Sequence, residues 1–225
     1  MSGKVENNEI YVLGIGHNTP VFVDIAEQCG YKIVGLYHYN SERTGEIDHG
    51  FKIFGSFDDL FLSNDLSGKS FLLTMGDSEV RAELVKKIIS QGGEVPTLIH
   101  PTTVVSRFAE ISPIGVYISA FTHIQADTVI EEGTVILSGV NISHTNHIGR
   151  YCFIAGGATI GAYTDMEDFV FVGQGALSIS AKVKSIGNHA YIGACSLLTH
   201  DVPANAVVAG SPAKILRIKM ACGDI

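Results

Sequence analysis

The chain has 225 residues, of which 46% are hydrophobic and 17% charged, a composition typical of a globular protein that excludes an intrinsically disordered one. Lys and Arg (15) are outnumbered by Asp and Glu (23), and the formal net charge of −8 argues against a nucleic-acid-binding surface. No apolar run approaches the roughly 20 residues of a membrane-spanning helix, and the polar start at Met1–Asn8 predicts no signal peptide.

Residues 1–99 alternate short apolar runs with segments of helical pattern. Four runs have the composition of β-strands: Ile10–Gly14, Lys32–Tyr37, Ser70–Thr74 and Leu98–Ile99. Two segments predict helices: Val21–Cys29 and Glu79–Ser90. Asp77 or Ser78 suits the N-cap of the second helix. Strands that alternate with helices imply βαβ units, so we interpret residues 1–99 as an α/β, Rossmann-like domain with a mostly parallel sheet.

A glycine loop joins the first predicted strand to the first helix. It reads Gly14-Ile-Gly16-His17-Asn18-Thr19, and Pro20 suits the first turn of the helix that follows. Backbone N–H groups at a helix start can hold a pyrophosphate. NAD binding is disfavoured, because the third glycine of the dinucleotide fingerprint is missing and no acid ends the second strand.

After His100-Pro101 the period of the sequence changes. Eight isoleucines follow one another at a spacing of six: Ile118, Ile124, Ile130, Ile136, Ile142, Ile148, Ile154 and Ile160. Small or β-branched residues stand four places after most of them, with Asn146 as the polar exception: Thr122, Thr128, Thr134, Val140, Cys152, Ala158 and Thr164. Neither a helix nor a two-sided strand has this period. A hexapeptide β-helix does, with three six-residue units in each coil of 18 and the isoleucines inside.

Imperfect units extend the pattern over residues 100–225. Inward positions are predicted at Val105 and Ile111 before the regular run and, after it, at Val172, Ile179, Ile186, Ile192 and Leu198. The segment Tyr163–Phe169 carries three acids and is expected to leave the coil as a loop. We expect Ala213–Met220 to form a short helix that caps the end of the solenoid.

Several motifs around this solenoid resemble those of one family. They are Gly14-Ile-Gly16 with Asp24-Ile-Ala, Gly76-Asp77 with Arg81, Ile99-His100-Pro101-Thr102, Ile142-Ser-His144, Ile148-Gly149, and Val208-Ala-Gly210-Ser-Pro212-Ala213-Lys214. In this order they resemble the bacterial sugar O- and N-acyltransferases, over nearly the whole chain. The resemblance implies a left-handed β-helix, a homotrimer with active sites between subunits, acetyl-CoA as donor, and a sugar nucleotide held by the N-terminal domain.

His144 is the candidate general base. Acyl transfer requires the attacking amine or hydroxyl to lose a proton, and an imidazole with a pKa near 6.5 suits that task. His144 is third in its hexapeptide and should point outward, with the small residues Ala126 and Ala162 one coil away on either side. A surface or interface histidine is the alternative. The family has an acid after the catalytic histidine, whereas Thr145 stands here and would orient the ring without charge; His147 is another candidate for that task.

Two further motifs are assigned to the donor by resemblance. Ala162 matches a position whose backbone N–H lies near the thioester carbonyl and would act as an oxyanion donor. The tail Gly210, Pro212, Ala213 and Lys214 matches the CoA-binding segment, in which glycine allows close approach to the pantetheine arm. Lys214 would meet a CoA phosphate, while Arg217 is more simply a solvated charge.

The sugar nucleotide is assigned to loops of the N-terminal domain. The predicted contacts are Gly14, Gly16, His17, Asn18, His38, Tyr39 and Asn40. His17 and Asn18 replace a glycine and a histidine of the family, and His38 and Tyr39 replace its acidic pair. Because that pair helps to read a uracil in related enzymes, the sequence leaves the base of the nucleotide open.

The leading hypothesis is therefore acetyl-CoA-dependent N-acetylation of a nucleotide-linked amino sugar. O-acetylation of a sialic-acid-like sugar needs the same base and donor. A zinc-dependent carbonic anhydrase would use His123, His144 and His147, but His123 lies 21 residues from His144 and not 18. A non-catalytic scaffold is the fourth reading. We expect no metal, because the cysteines are scattered thiols of a cytoplasmic protein without a CxxC pair: Cys29, Cys152, Cys195 and Cys222.

Overall fold

The computed structural model describes residues 8–219, which divide into two compact units, one up to Leu98 and the other from Ile99 onward. The start of the chain before Asn8, Met220 and Cys222, about which the sequence raised expectations, lie outside the described residues. Among residues 8–219, no helix has the length and apolarity needed to cross a membrane.

The first unit is a five-stranded sheet with three helices. In chain order its elements are β1 (Glu9–Leu13), α1 (Thr19–Gln28), β2 (Lys32–His38), β3 (Ile47–Asp48), β4 (Phe51–Ser56), α2 (Phe57–Phe61), β5 (Ser70–Leu73) and α3 (Ser78–Ser90). The sheet has the order β3-β4-β2-β1-β5; all pairs are parallel except β3 with β4. The expected strands and helices are confirmed within two residues at each end, and Asp77 caps α3 by accepting from the N–H groups of Glu79 and Val80.

The segment from Ile47 to Phe61 is absent from the sequence prediction. It forms a hairpin and a five-residue helix, α2. A local signal was present, because Ser56 and Asp59 form a capping box: the Ser56 hydroxyl accepts from Asp59 N–H, and the Asp59 carboxylate accepts from Ser56 N–H. These hydrogen bonds lower the pKa of Asp59 below its ordinary value.

The second unit is a parallel β-solenoid with three faces. Face 1 contains β7 (Val104–Val105), β10 (His123–Ile124), β13 (Asn141–Ile142), β16 (Thr159–Ile160), β19 (Leu177–Ser178) and β22 (Leu197–Leu198). Face 2 contains β8 (Glu110–Ile111), β11 (Val129–Ile130), β14 (His147–Ile148), β17 (Asp165–Met166) and β20 (Ser185–Ile186). Face 3 contains β6 (Leu98–Ile99), β9 (Tyr117–Ile118), β12 (Val135–Ile136), β15 (Phe153–Ile154), β18 (Phe171–Val172), β21 (Tyr191–Ile192), β23 (Ala206–Gly210) and β24 (Ala213–Ile218).

The isoleucine ladder forms the core, as the period of six predicted. Residues 18 apart pair in register, for example Ile124 with Ile142 and Ile142 with Ile160. All eight isoleucines are at most 1% exposed. The threonines four places later line the inner corners and donate their hydroxyls to carbonyls of the next coil, as Thr134 does to Gly149 O at 2.8 Å. These bonds satisfy polar groups that the solenoid buries.

Three sequence expectations for the solenoid were wrong. The segment Tyr163–Phe169 does not leave the coil: it contains β17, and Met166 takes the inward place, 0% exposed, because the spacing of six continues through a residue other than isoleucine. Ser178, 3% exposed, is inward in place of Ile179, because two extra residues enter after β19 and not before it.

The third correction concerns the end of the chain. Ala213 begins the strand β24, not a capping helix, and β24 pairs antiparallel with β23 across the turn at Ser211-Pro212. Two of the six residues of Ala213–Ile218 are the β-branched Ile215 and Ile218, which favour a strand once a neighbouring strand is available to pair with it. Leu98–Ile99, expected as a last strand of the first domain, instead lies in face 3.

Candidate active site

His144 lies on an outer corner of the solenoid, two residues after the end of β13. Its side chain is exposed, and its Nδ1 is 3.1 Å from the Thr145 hydroxyl. Thr145 has a φ of +56°, a left-handed conformation that turns the chain toward face 2. If Nδ1–H donates to Thr145 Oγ1, Nε2 of the ring is left as a proton acceptor. The structure therefore places the Thr145 hydroxyl within hydrogen-bond distance of the His144 ring.

Asn146, the polar exception among the inner corners, makes two hydrogen bonds with its side-chain amide. It is 3% exposed, donates from Nδ2 to Ser143 O at 2.7 Å, and accepts at Oδ1 from Thr164 N–H at 2.7 Å. Both bonds brace the turn that carries His144. Thr134 likewise donates to one carbonyl, Gly149 O, and accepts from Cys152 N–H at 3.0 Å, so the amide continues the pattern of the threonine corners.

The corner of His144 continues as a column of residues from coil to coil. Strand register places Ala126, His144, Ala162, Ser180 and His200 one above another. Ala126 and Ala162 are the small neighbours that the sequence predicted. Tyr163 was not expected there: its ring meets the edge of the His144 ring at 5.2 Å between centroids, with 89° between their planes.

The backbone of Ala162 differs from the expectation. Ala162 is 3% exposed, and its N–H donates to Ser180 Oγ at 3.0 Å. An oxyanion donor must face the reacting carbonyl, and this N–H is directed to a side chain of the next coil. The predicted role of Ala162 is therefore not met in this arrangement.

His147 lies on face 2 and does not orient His144. Its Nδ1 is 2.8 Å from Asp165 Oδ1 and its Nε2 is 3.6 Å from Glu131 Oε1. The ring is thus held between two carboxylates. Among the described residues of one chain, no three His, Cys, Asp or Glu side chains lie close enough to hold a metal ion, including the set with His123.

The column ends at His200, beside a charged group. The Asp201 carboxylate accepts from the N–H groups of Lys184, at 2.6 Å, and Ser185, at 3.1 Å. These two hydrogen bonds stabilise the ionised form and lower the pKa of Asp201 below its ordinary value. They also tie the irregular segment after β19 to the next coil along the chain.

The predicted CoA tail is a β-hairpin. Gly210, with a φ of +105°, ends β23, and Pro212 occupies the turn. Lys214 and Arg217 are exposed on β24, where they pair with Ala209 and Val207. Both cations are therefore accessible to a phosphate from solvent.

The first unit has a pocket of about 420 Å³ at the carboxyl ends of its parallel strands. Five predicted contacts line it: Gly14, Gly16, His17, Asn18 and Tyr39. The remaining lining comes from Ile15 of the same glycine loop, from Phe57 at the start of α2, and from the segment between β5 and the first turn of α3: Thr74, Met75, Gly76, Asp77 and Val80. β1 has β2 on one side and β5 on the other, so this edge is the switch point at which open α/β sheets bind ligands.

His38 and Asn40 do not line this pocket. His38 is 6% exposed, and its Nδ1 is 3.0 Å from Asn40 Oδ1. Its ring also contacts that of Tyr39, with 4.2 Å between centroids, while Tyr39 itself is 70% exposed. His38 and Asn40 thus support the loop that presents Tyr39.

The two loop glycines have different reasons to be glycine. Gly14 has a φ of +98°, and a Cβ there would meet Thr74 Oγ1 at 3.0 Å, so the fold itself requires it. Gly16 has no such strain, and a Cβ would meet nothing within 4 Å. α1 also lacks a side-chain hydrogen bond at its N-cap, Asn18. The N–H groups of Gly16 and Thr19 are already paired, with Thr19 Oγ1 at 2.9 Å and Gly16 O at 3.1 Å. The open space at Gly16 therefore offers room for an anionic ligand beside the positive end of the α1 helix.

Comparison with known proteins adds relatives, although no family model matches the chain. UDP-3-O-acylglucosamine N-acyltransferase of Methylorubrum extorquens (strain PA1) is 38% identical over 91 residues, which are 40% of this chain and 25% of that protein. The chain thus matches about a quarter of the length of the first curated relatives. GDP-perosamine N-acetyltransferase of Escherichia coli O157:H7 is 28% identical over 198 residues, which are 86% of this chain and 87% of that protein.

A solved structure agrees with these relatives. The acetyltransferase domain of PglB from Neisseria gonorrhoeae FA1090, in complex with acetyl coenzyme A, matches with a TM-score of 0.83 at 26% identity. The match covers 93% of this chain and 100% of that one. The homologues are bacterial sugar acyltransferases and related acetyltransferases, so the resemblance drawn from the motifs is confirmed.

Proposed function

We propose that this chain, a homologue of the bacterial hexapeptide-repeat sugar acyltransferases, transfers an acetyl group from acetyl-CoA to the amino group of a nucleotide-linked sugar. The observation that carries the proposal is the exposed His144 on a solenoid corner, its Nδ1 beside Thr145, with a column of small residues above it. The relative that this chain matches over most of its length is named as an N-acetyltransferase of a nucleotide sugar. We assign the solenoid to the left-handed class and the first unit to the Rossmann-like class.

In the proposed reaction His144 acts as the general base. Nε2 takes a proton from the sugar amine as the amine nitrogen attacks the thioester carbonyl carbon. The carbonyl π pair moves to oxygen, and the tetrahedral intermediate then collapses, breaking the C–S bond and releasing CoA, whose sulfur takes a proton. The amide product remains on the sugar. Thr145 orients the ring without adding charge, so the base has no adjacent carboxylate to raise its basicity.

The donor is proposed to lie along the column above His144 and to reach the C-terminal hairpin. Acetyl coenzyme A is bound to the PglB domain that this chain resembles. Here Gly210, Pro212 and Ala213 form the turn and start of the hairpin, and the exposed Lys214 is placed to meet a CoA phosphate. The reaction needs no metal in this scheme, since the thioester is already activated.

The acceptor is proposed to bind the pocket of the first unit through its nucleotide. The start of α1, which has no side-chain hydrogen bond at its N-cap, and the open space at Gly16 suit the diphosphate, because the positive end of a helix attracts anions. The exposed ring of Tyr39 suits stacking on the base. His17 and Asn18 line the same pocket and offer polar side chains to the phosphates or ribose.

A homotrimer is proposed from the apolar surface of the solenoid. The last strand, β24, exposes three large apolar side chains, Ile215, Leu216 and Ile218, each more than half accessible. Such a strand at the edge of a sheet is normally covered by a partner. A cytoplasmic location is part of the proposal, and the free thiols of the described cysteines, Cys29, Cys152 and Cys195, fit a reducing compartment.

The test is a panel of UDP-, GDP- and dTDP-linked amino sugars with acetyl-CoA, in which released thiol is measured. Each amino sugar is paired with the hydroxyl sugar of the same nucleotide as a matched control. We expect thiol release with at least one amino sugar and none with its hydroxyl partner. Turnover with the hydroxyl sugar alone would change the proposal to O-acetylation, and no binding of acetyl-CoA in calorimetry would reject it.

A further inference from the structure

The hydrogen bond from Ala162 N–H to Ser180 Oγ, one coil above His144, occupies the N–H that the sequence predicted as oxyanion donor. It also leaves the Ser180 hydroxyl as a second candidate donor. Because Ala162 N–H donates to Ser180 Oγ, the Ser180 hydroxyl proton is left to donate elsewhere. Ser180 is exposed, and within residues 8–219 no acceptor takes that proton. We propose that Ser180 is a further catalytic residue, whose hydroxyl donates to the thioester carbonyl oxygen as it becomes an oxyanion. The inference rests on the proposed acetyl transfer.

The spacing of the column fits this role. His144 and Ser180 lie two coils apart, which at about 4.8 Å per coil is roughly 9.5 Å between their backbones. A line of contacts from imidazole to attacking nitrogen, carbonyl carbon, carbonyl oxygen and serine hydroxyl is about 8–10 Å long, counting about 3 Å for each hydrogen bond or near-attack contact. A thioester beside Ala162 therefore reaches both groups at once.

The backbone that carries Ser180 packs closely against the coil of Ala162. A Cβ on Gly161 would lie only 2.5 Å from Ser180 N and 2.6 Å from Ser178 O, so the backbones of the two coils are in close contact beside the column. The accepted bond from Ala162 N–H also polarises the Ser180 hydroxyl and strengthens it as a donor. A donor fixed in advance at the developing charge is what stabilises an oxyanion.

With Ser180 as a hydrogen-bond donor, the same bonds form and break and the same protons move as in the proposed reaction. The amine lone pair forms the new C–N bond, the carbonyl π pair becomes the third lone pair of the oxyanion, and the Ser180 hydroxyl keeps its proton while hydrogen-bonded to it. When the C–S bond breaks, the pair returns to carbonyl and the hydrogen bond relaxes. Ser180 is neither acylated nor deprotonated.

Ser178 provides a matched control within the same coil. It accepts from Gly161 N–H at 2.8 Å, as Ser180 accepts from Ala162 N–H, but it is 3% exposed and points into the core. Ser178→Ala and Ser180→Ala therefore each remove one hydrogen bond that a serine hydroxyl accepts from a backbone N–H. The first is inside the solenoid and the second on its outer surface. Ser180→Thr keeps the hydroxyl.

The experiment measures kcat, the KM for acetyl-CoA and thermal unfolding for these three variants, with the amino sugar that the wild-type protein accepts. We expect Ser180→Ala to lower kcat about a hundredfold with little change in KM, which is the low end for loss of one oxyanion donor. Ser180→Thr should recover most of the activity, and Ser178→Ala should stay near wild type. If Ser180→Ala is as active as Ser178→Ala, or more active, the freed Ala162 N–H is the donor and the inference is wrong.

A second readout separates this inference from the identity of the acceptor. The infrared carbonyl band of bound ¹³C-labelled acetyl-CoA needs no sugar, and a hydrogen bond to the oxygen lowers its frequency. We expect the downshift in the wild-type protein to be lost in Ser180→Ala and kept in Ser178→Ala. A wild-type band unchanged from free acetyl-CoA contradicts Ser180 as donor even where transfer is observed. A wild-type protein that does not bind acetyl-CoA overturns the proposed function, and this inference with it.

Discussion

The two units of the chain position their candidate site residues in different ways. In the solenoid, neighbours in space are 18 residues apart, so Ala126 and Ala162 lie beside His144 because of the repeat alone. In the first unit, the pocket collects loops that follow β1, β2, β4 and β5, which are far apart in the chain. A repeat thus reveals contacts through its period, whereas an α/β sheet reveals them only after its strands have been ordered.

The largest expected effect tests the solenoid corner. His144→Ala should lower kcat/KM by about 10²–10⁴, the usual contribution of a general base, and leave acetyl-CoA binding largely intact. His147→Ala is the control, because that exposed ring is held by Asp165 and Glu131 away from the column. Steady-state kinetics and calorimetry measure both. Near-wild-type turnover of the His144 variant would exclude it as the base.

The next effect tests the period itself. Ile154 is 0% exposed and pairs in register with Ile136 and Val172, so Ile154→Ala should lower the free energy of unfolding by about 2–5 kcal/mol. Ile154→Val removes one methylene and should cost about 0.5–1.5 kcal/mol. Urea denaturation followed by circular dichroism measures both. Equal stability of the alanine variant and the wild type would contradict a core built on the ladder.

A smaller effect tests the first unit, where two glycines of one loop should respond differently. Gly16→Ala should leave stability unchanged and raise the KM for the sugar nucleotide about tenfold, because Gly16 lines the pocket proposed for the nucleotide and a Cβ there would meet no protein atom within 4 Å. Gly14→Ala should instead destabilise the protein by about 1–2 kcal/mol, since its φ of +98° suits glycine. Thermal unfolding and kinetics on both variants distinguish these roles. A Gly16 variant with normal KM would remove the loop from the proposed site.

The smallest expected effect depends on pH. Asp201 has a lowered pKa in the folded chain, so it stabilises the fold above the unfolded value of about 3.9 and loses this contribution as pH falls through its folded pKa. Asp201→Asn should therefore be less stable than the wild type at neutral pH. In strong acid, where Asp201 is protonated, the two proteins should differ less in stability. Unfolding midpoints between pH 7 and pH 2 measure this difference. A difference in unfolding midpoint that stays constant from pH 7 to pH 2 would mean that the charge of the Asp201 carboxylate does not stabilise the fold.

Much of this protein can be read from its residues alone. The period of six determines the solenoid, its isoleucine core and the outward direction of His144, because a repeat converts sequence distance into spatial contact. The strand–helix alternation determines the α/β class of the first unit and its glycine loop. The same reasoning misplaced Tyr163–Phe169 and Ile179, since it followed isoleucine itself and not the spacing, which Met166 and Ser178 continue.

Other features were decided only by tertiary structure. Ser180 meets Ala162 N–H because the extra residues enter after β19, and no local pattern marks that place. β24 is a strand because β23 offers it a partner, and the pocket gains Phe57 and Thr74 because β4 and β5 flank the central strands. In each case the deciding free energy comes from a contact with another segment of the chain. Local propensity cannot contain it, because a hydrogen bond or a packed contact exists only once both sides have been brought together.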